Sequence, residues 1–264
     1  MTYHPFTTTL DDAGTAWVTL NRPDVHNAFD DVLIGGLAAE FMALNDRPGV
    51  RAVVLRAAGK SFSAGGDLDW MRRMADYSFD ENVMDANALA GMMQALNTLS
   101  KPTIAMVQGA AFGGGVGLVA CCDIAVAAED AVFCLSEVKL GLVPATIAPY
   151  VISAIGPRQA RRYFQTAERF DAATAKRIGL VHEVVPAGEL RGAVDHFLGV
   201  LRGNGPGAMA ASKDLVFAVA GRPVTEEVLA DTAERIAAAR ASAEGREGTS
   251  AFLQKRKPSW AQGR

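Results

Sequence analysis

Residues 101–145 read KPTIAMVQGAAFGGGVGLVACCDIAVAAEDAVFCLSEVKLGLVPA. An apolar run typical of a β-strand, 103–107, leads into the glycine triplet 113–115 and then into a helix of small residues. A second pair of strands follows and ends on one carboxylate, Glu137. Backbone N–H groups and a helix N-terminus are therefore expected close to a possible acid or base. An enzyme that forms an enolate needs these parts, because negative charge develops on one oxygen while a proton moves nearby.

Outward from this stretch, strands and helices alternate through the first half of the chain, which favours an α/β fold. The other predicted strands are 15–20, 51–57, 124–128 and 132–135, and the clearest predicted helices of this half are 32–44 and about 81–99. From about residue 147 onward the pattern is almost entirely helical. We therefore expect a catalytic core over residues 1–195 and a helical region over 196–264. Such a region could pack on another subunit as readily as on its own core.

The composition argues against several classes of protein. Half of the 264 residues are apolar and the net charge is −3, so a large core can form and a general nucleic-acid binder is not expected. The N-terminus has no basic region followed by an apolar run, and the most apolar stretch, 109–122, is shorter than a membrane span. Cys121, Cys122 and Cys134 are odd in number and lie in apolar segments. They predict buried thiols in a reducing cytoplasm and not disulfides.

The glycine-rich segments do not match the common cofactor-binding motifs. A dinucleotide fingerprint beginning at Gly113 would need glycine at Leu118. A phosphate-binding P-loop that ends at 59–61 would need glycine at Val54. The histidines and cysteines have no spacing typical of a metal site. We therefore expect neither a metal nor a bound cofactor.

Two glycine-rich loops, each after a predicted strand, are the candidates for a site: residues 63–68, SAGGDL, and residues 113–115. Glycine has no Cβ, so its N–H can approach a ligand closely. Two such groups from separate loops would form an oxyanion hole beside the positive end of a helix. Two simpler interpretations stay open on the residues alone. The triplet can be a tight packing turn, and Glu137 can be a solvated carboxylate at a strand end.

Motifs along nearly the whole chain resemble those of the crotonase (enoyl-CoA hydratase/isomerase) superfamily. The matching segments are Leu20-Asn21-Arg22-Pro23 with Asn27-Ala28, FSAGGDL at 62–68, Gly109 with AFGGG at 111–115, CDI at 122–124, Glu137 with Leu140-Gly141 and Pro144, AKRIGL at 175–180, and FLQKRKP at 252–258. Each motif is short, but together they are highly specific.

This resemblance implies a spiral of ββα repeats and a helical C-terminal region that builds trimers, often paired into hexamers. It implies an acyl-CoA thioester as substrate, with coenzyme A present only as part of it. By match to the family's motifs, the N–H groups of Gly66 and Gly114 would hold the thioester oxygen, and Glu137 would be the catalytic carboxylate. Residues expected along coenzyme A are Val25, His26, Ala28, Ala64, Gly65, Asp67 and Leu68, with Phe252 and Lys255 as weaker candidates near the adenine of a neighbouring subunit.

The chain departs from the family at one catalytic position. The best-known hydratases of the family use two glutamates, one matching Glu137 and one at the position that is Gly117 here. The family's glycine-rich stretch after Pro144 is also changed, to ATIAP at 145–149. Three hypotheses fit. The first is a hydratase in which Glu137 both activates water and handles the α-proton, with or without help from a substrate group. The second is an enoyl-CoA isomerase, which needs only one shuttling carboxylate, and the third is a non-catalytic acyl-CoA binder. The intact carboxylate and both intact loops argue against the last.

Between hydratase and isomerase, the run FCLSE at 133–137 with LGLVPA at 140–145 favours hydration. It resembles a bacterial subgroup, the methylglutaconyl-CoA or carboxygeranoyl-CoA hydratases of leucine and acyclic terpene breakdown. Substrates of that kind are branched and carry an extra carboxylate, for which Arg72 and Arg73 are candidate partners.

Overall fold

The computed structural model describes residues 4–261. The ends of the two predicted regions, 1–3 and 262–264, lie outside the described residues. The strands are β1 (Phe6–Leu10), β2 (Thr15–Leu20), β3 (Ala52–Ala57), β4 (Thr103–Val107), β5 (Ala110–Phe112), β6 (Ile124–Ala128), β7 (Val132–Cys134), β8 (Phe170–Asp171) and β9 (Glu183–Val185). The α-helices are α1 (Asp31–Asp46), α2 (Leu68–Met74), α3 (Phe79–Asn97), α4 (Gly114–Cys121), α5 (Ala148–Thr166), α6 (Ala172–Ile178), α7 (Leu190–Arg202), α8 (Pro206–Val219), α9 (Glu226–Ala241) and α10 (Ala243–Leu253).

The strands lie in two sheets, a larger one in the order β1-β2-β3-β4-β6-β9 and a smaller one in the order β5-β7-β8. In the larger sheet β1 and β2 are antiparallel, and the pairs from β2 to β9 are parallel. The chain passes from β4 in the larger sheet to β5 in the smaller one and then into α4. It repeats this path through β6, β7 and α5. The predicted α/β class and the ββα repeats are confirmed.

The larger sheet is apolar on both faces, as a parallel sheet covered by helices must be. Side chains alternate along a strand, so β3 sends Val53 and Leu55 into one core and Val54 into another. The first core also contains apolar side chains of α1, α3 and α4. The second is closed by α7. Both faces of the larger sheet are therefore buried. The glycine triplet follows β5 of the smaller sheet.

The helical C-terminal half is also confirmed, with α7, α8, α9 and α10 following one another from Leu190 to Leu253. The predicted division at residue 195 falls inside α7. Val194 and Leu198, on either side of it, pack in the same core. Beyond α7, α8 is tied to the core by an ion pair between Lys213 and Asp123, with nitrogen and oxygen 2.9 Å apart.

The predicted strands are confirmed within one residue at each end, but some neighbouring elements differ from the prediction. The helix predicted from about residue 81 begins at Phe79, because Ser78 and Glu81 form a capping box. Neither β5 nor α2 was predicted. A strand of three residues beside glycines has too few side chains to show an alternating pattern.

Candidate active site

Short extended segments stack side by side and bring the two glycine loops together. Phe29 forms a parallel bridge with Gly66, and Ser63 forms one with Ala111 of β5. The Ser63 N–H donates to the Ala110 carbonyl at 3.0 Å, and the Phe112 N–H donates to the Ser63 carbonyl at 2.8 Å. The loop of residues 63–67, called the Gly66 loop below, is therefore held directly against the strand that leads into the glycine triplet.

The Gly66 N–H is left available by this bridge. The Phe29 N–H donates to the Gly65 carbonyl at 2.7 Å, and the Asp67 N–H donates to the Phe29 carbonyl at 2.8 Å. The residues on both sides of Gly66 thus make the bonds to Phe29, and the N–H of Gly66 itself faces the other way. Within residues 4–261 it donates to no protein acceptor. It can bind an external oxygen.

The Gly114 N–H is the second available donor. Gly113 has a positive φ of 50° and ψ of −119°, a conformation that glycine adopts readily. Its own N–H donates to the Cys134 carbonyl at 2.8 Å. Gly114 then opens α4, where the first N–H groups have no partner within the helix. Across the described part of the chain, the Gly114 N–H has no protein acceptor. The positive end of α4 adds to its attraction for negative charge.

Phe29 links the two donors. Its backbone carries the bridge to Gly66, and its buried ring lies against Gly114. A Cβ placed on Gly114 would come within 2.4 Å of Phe29 Cε2, so this position requires glycine. One residue therefore fixes the Gly66 loop through its main chain and the start of α4 through its side chain.

A largely buried ion-pair network holds the Gly66 loop. Arg22 Nη2 lies 2.9 Å from Asp67 Oδ2 and 3.0 Å from Asp30 Oδ2, and Arg22 Nη1 donates to the Ala28 carbonyl. The Asp67 carboxylate, 9% exposed, also accepts from the Asp69 and Trp70 N–H groups at the start of α2. Burial would raise the pKa of Asp67, but these backbone bonds and Arg22 hold that pKa below its usual value. The Asp67 side chain is thus engaged inside the protein.

The side chain of Asn27 holds the same region through a second set of hydrogen bonds. It is completely buried, and its Nδ2 donates to the carbonyls of Ala58 and Ser61, each at 2.8 Å. Its Oδ1 accepts from the Arg22 N–H at 2.8 Å. Asn27 has a left-handed backbone, with φ of 53°, which asparagine tolerates better than most residues. The segment around residues 22–29 and the loop after β3 are consequently one hydrogen-bonded unit.

Glu137 lies beside the glycine triplet. It begins a 3-10 helix, Glu137–Leu140, and its Oε1 is 3.1 Å from the point where a Cβ of Gly113 would lie. Its other oxygen, Oε2, is buried with no hydrogen-bond partner in the described chain. Burial raises the pKa of the Glu137 carboxyl. A carboxylate with a raised pKa and a free lone pair, next to two available N–H donors, is suited to take and return a proton.

The residues expected along coenzyme A divide into exposed and buried ones. Val25, His26 and Leu68 are exposed, whereas Ala28 and Gly65 are buried. The two segments are adjacent, because the Ala64 N–H donates to the His26 carbonyl at 2.9 Å. On α10 and just after it lie Phe252, which is 82% exposed, and Lys255, which is also exposed. Helix α10 packs on α8 and α9.

The position of the absent second carboxylate, Gly117, is buried inside α4. The candidate partners for a substrate carboxylate both have exposed ion-pair partners on the protein: Arg72 pairs with Asp69, and Arg73 pairs with Asp31. Neither arginine is brought to Glu137 by a contact that the structure shows.

Sequence reasoning assigned no role to Arg22, Asn27 or Phe29, although two of them lie in motifs that matched the family. The available signal was a polar motif followed by an apolar residue, NAF at 27–29, just before a helix cap. Their roles depend on contacts with a loop about 35–45 residues away, which no local pattern shows. The predicted burial of Cys121, Cys122 and Cys134 is confirmed.

Other features of the molecule lie apart from this site. A cavity of about 910 Å³ between α8 and the core is lined by Asp123, Lys213, Phe217 and Trp260, among others, and includes neither Glu137 nor the two donors. Among residues 4–261, no group of three or more histidine, cysteine or acidic side chains is placed to hold a metal ion. No helix in that range combines the length and apolar character that crossing a bilayer requires.

Comparisons with known proteins agree on one family. The family described as enoyl-CoA hydratase/isomerase matches residues 11–263. A crystal structure of an enoyl-CoA hydratase from Shewanella pealeana is 46% identical with a TM-score of 0.94, covering 97% of this chain and 96% of that one. Pseudomonas aeruginosa AtuE is 40% identical with a TM-score of 0.94, covering 98% and 100%. The mitochondrial enoyl-CoA hydratase domain-containing protein 3 of Xenopus laevis is 30% identical over 256 residues, 97% of this chain and 86% of its own length.

Proposed function

Because the chain belongs to the enoyl-CoA hydratase/isomerase family, we propose that it is a hydro-lyase that adds water to the double bond of a 2-enoyl-CoA thioester. The observation that carries this proposal is the position of Glu137. Its carboxylate has one unpartnered oxygen and lies beside the loop that offers the Gly114 N–H. A protein that only bound acyl-CoA esters would not need a buried carboxylate there.

The thioester oxygen is bound between the N–H groups of Gly66 and Gly114. When the water oxygen forms its bond to the β-carbon and water loses a proton, negative charge moves onto the thioester oxygen and the enolate forms. Donors already aimed at that point stabilise the enolate without reorganising, and one such donor is typically worth about 10² to 10³ in rate. The N-terminus of α4 supports the same charge.

Glu137 carries both proton transfers. Its carboxylate removes a proton from water while the water oxygen forms its bond to the β-carbon. The protonated Glu137 then returns that proton to the α-carbon, and the enolate collapses to the saturated 3-hydroxyacyl thioester. No metal or redox group takes part in these steps, and coenzyme A enters only as part of the substrate. The raised pKa of Glu137 suits a group that must hold the proton between the two steps.

We propose a branched or carboxylated substrate, such as 3-methylglutaconyl-CoA. Support comes from the resemblance of residues 133–145 to the hydratases of such esters. The coenzyme A part would lie along Val25, His26, Ala28 and the segment 64–68. We also propose a homotrimer or hexamer in the cytoplasm, with Phe252 and Lys255 reaching the adenine bound by a neighbouring subunit. The large exposed apolar side chains of the C-terminal helices, Phe252 among them, support an assembly.

The second candidate is an enoyl-CoA isomerase, favoured by the presence of glycine at position 117. Moving a double bond requires one carboxylate to carry a proton between two carbons, and Glu137 alone can do this. The same two N–H donors would stabilise the dienolate that forms when the 3-enoyl thioester loses its α-proton. The two reactions differ in whether water enters the product.

A spectrophotometric assay of the conjugated thioester separates these activities, using crotonyl-CoA, 3-methylglutaconyl-CoA and a 3-enoyl-CoA. Hydration removes the conjugated absorbance, and we expect the fastest loss with the methylglutaconyl ester. Gain of absorbance from the 3-enoyl ester, with no loss from the other two, would establish the isomerase instead. No change with any of the three esters would contradict both proposals.

A further inference from the structure

Gly117 lies one helical turn after Gly114 on α4, and residues three apart on a helix are neighbours on its surface. A side chain at position 117 would therefore emerge next to the Gly114 N–H. The space that it would enter is already filled. A Cβ on Gly117 would come within 2.3 Å of Ile147 Cγ2, 2.9 Å of Ile147 Cβ and 3.1 Å of Met93 Cε. Real contacts to a Cβ essentially never fall below 3.0 Å.

Ile147 has little freedom to move aside. It is 2% exposed and occupies the N-cap position of α5, with its carbonyl accepting from the Val151 N–H at 3.0 Å. Its Cβ is fixed by this backbone, and a Cγ2 methyl moves only if the whole side chain changes rotamer in a packed core. Met93 is different, because its Cε is the far end of a flexible side chain. The main obstacle to a side chain at 117 is Ile147.

Glu137 and Ile147 belong to the same connecting segment. The 3-10 helix that begins at Glu137 leads through a turn, in which the Leu142 N–H donates to the Glu137 carbonyl at 3.1 Å, to the cap of α5. The segment that supplies the carboxylate thus also supplies the apolar group that fills the space opposite Gly117. The 117 side of the site carries no acid and is closed by a methyl group and a thioether.

We propose that Ile147 is a specificity-determining residue that restricts the site to one acid/base group. By filling the volume beside Gly117, it excludes a second carboxylate and keeps both proton transfers on Glu137. This inference rests on the proposed function for its chemistry, but the steric part stands on the structure alone. The two parts therefore need separate measurements.

The first measurement is a thermal-unfolding cycle, which does not depend on activity. The variants are G117A, I147G and G117A/I147G, with I147V and G117A/I147V as the matched control. Glycine is accepted at an N-cap, so I147G removes the obstacle without harming the cap. Valine keeps the branch methyl that faces Gly117. We expect G117A to lower Tm by roughly 3–10 °C through overpacking.

The steric role of Ile147 is supported if the loss of Tm caused by G117A falls by at least half in the I147G background and persists in the I147V background. An equal loss of Tm in the parent, I147G and I147V backgrounds would overturn this role, as would a G117A protein as stable as the parent. A G117A protein that fails to fold still gives an answer. In that case G117A/I147G must fold if Ile147 is the obstacle, and its failure to fold would count against the proposal.

The second measurement is the pH dependence of crotonyl-CoA turnover, or of 3-enoyl-CoA isomerisation if that is the activity found. In the E137Q background, we expect G117E/I147G to recover turnover at least about tenfold over E137Q alone, with a new ionisation in the pH profile. The variant G117E without I147G should recover none. If the Tm loss of G117A depends on residue 147 but G117E/I147G recovers no turnover, Ile147 fills space in the core without determining the reaction. That result would overturn its role in specificity. A parent protein inactive on every ester would refute the proposed function while leaving the unfolding cycle valid.

Discussion

The Gly66 loop and the segment that begins at Glu137 meet at the same site but are stabilised in opposite ways. In the loop, Asp67 is satisfied by two backbone N–H groups and Arg22, and the neighbouring Asn27 is fully bonded. In the other segment, Glu137 has a buried oxygen with no partner in the described chain. The loop that carries the Gly66 N–H is thus held rigidly, whereas the carboxylate that we propose as the acid/base group keeps one oxygen without a partner. Preorganised donors need no movement, but a group that exchanges protons must keep a lone pair free.

The largest expected effect comes from disturbing a donor on the rigid side. G114A places a methyl group against the Phe29 ring, so the Gly114 N–H must shift. We expect kcat to fall by a factor of about 10² to 10³. The midpoint of the acidic limb of the pH–rate profile should not change. Steady-state rates from pH 5 to 9 check this. G35A, at a glycine of α1 with open space around its Cβ position, is the control. A G114A enzyme within threefold of the parent would remove the Gly114 N–H from the mechanism.

A smaller effect is expected from releasing the loop indirectly. R22M removes the cation between Asp30 and Asp67 and leaves two nearly buried carboxylates without it. Breaking a buried pair in this way typically costs about 3–5 kcal/mol of stability. Because the Gly66 N–H then loses its fixed direction, we expect kcat to fall about tenfold.

Urea unfolding and kcat, measured on the same R22M preparation, check this prediction. R222M, which removes an exposed arginine from its pair with Glu227, is the matched control and should be near neutral. Loss of stability with normal kcat would show that Arg22 supports the fold without orienting the donor.

The smallest effect is a pH-dependent gain of stability in E137Q. Burial raises the native pKa of Glu137, so the native state holds its proton over a pH range in which the unfolded chain has lost it. Parent stability therefore falls as pH rises from the unfolded pKa through the native one. Glutamine does not ionise, so E137Q escapes this loss. We expect its Tm advantage over the parent to be larger at pH 7 than at pH 4. An equal difference at both pH values would contradict the raised pKa.

The two regions also differ in how far the sequence could predict them. The strands β4 and β6 were predicted with their bounds, since long apolar runs bounded by turn residues are a local signal. Gly66, Gly114 and Glu137 were predicted as site residues from their motifs, and their proximity was expected from the family resemblance. The structure shows the backbone bridges that hold the two glycine-rich loops together.

What could not be predicted depends on contacts between distant residues. Arg22 meets Asp67 across 45 positions, and Ile147 meets Gly117 across 30. The change after Pro144 was visible in the sequence, but its link to the glycine in α4 was not, because the link is a distance between two side-chain positions. Substrate specificity and assembly stay predictions for the same reason, since they depend on surfaces that the single chain leaves open.

If Glu137 alone carries the proton transfers and the N–H groups bind the thioester, catalysis and binding can be separated in one variant. The most direct test measures two quantities on E137Q: turnover of the best ester, and affinity for a saturated analogue, butyryl-CoA, by calorimetry. We expect turnover to fall roughly a hundredfold or more while Kd changes by less than about threefold. Turnover near that of the parent would contradict it, because a group that can be neutralised without loss is not the acid/base of the reaction.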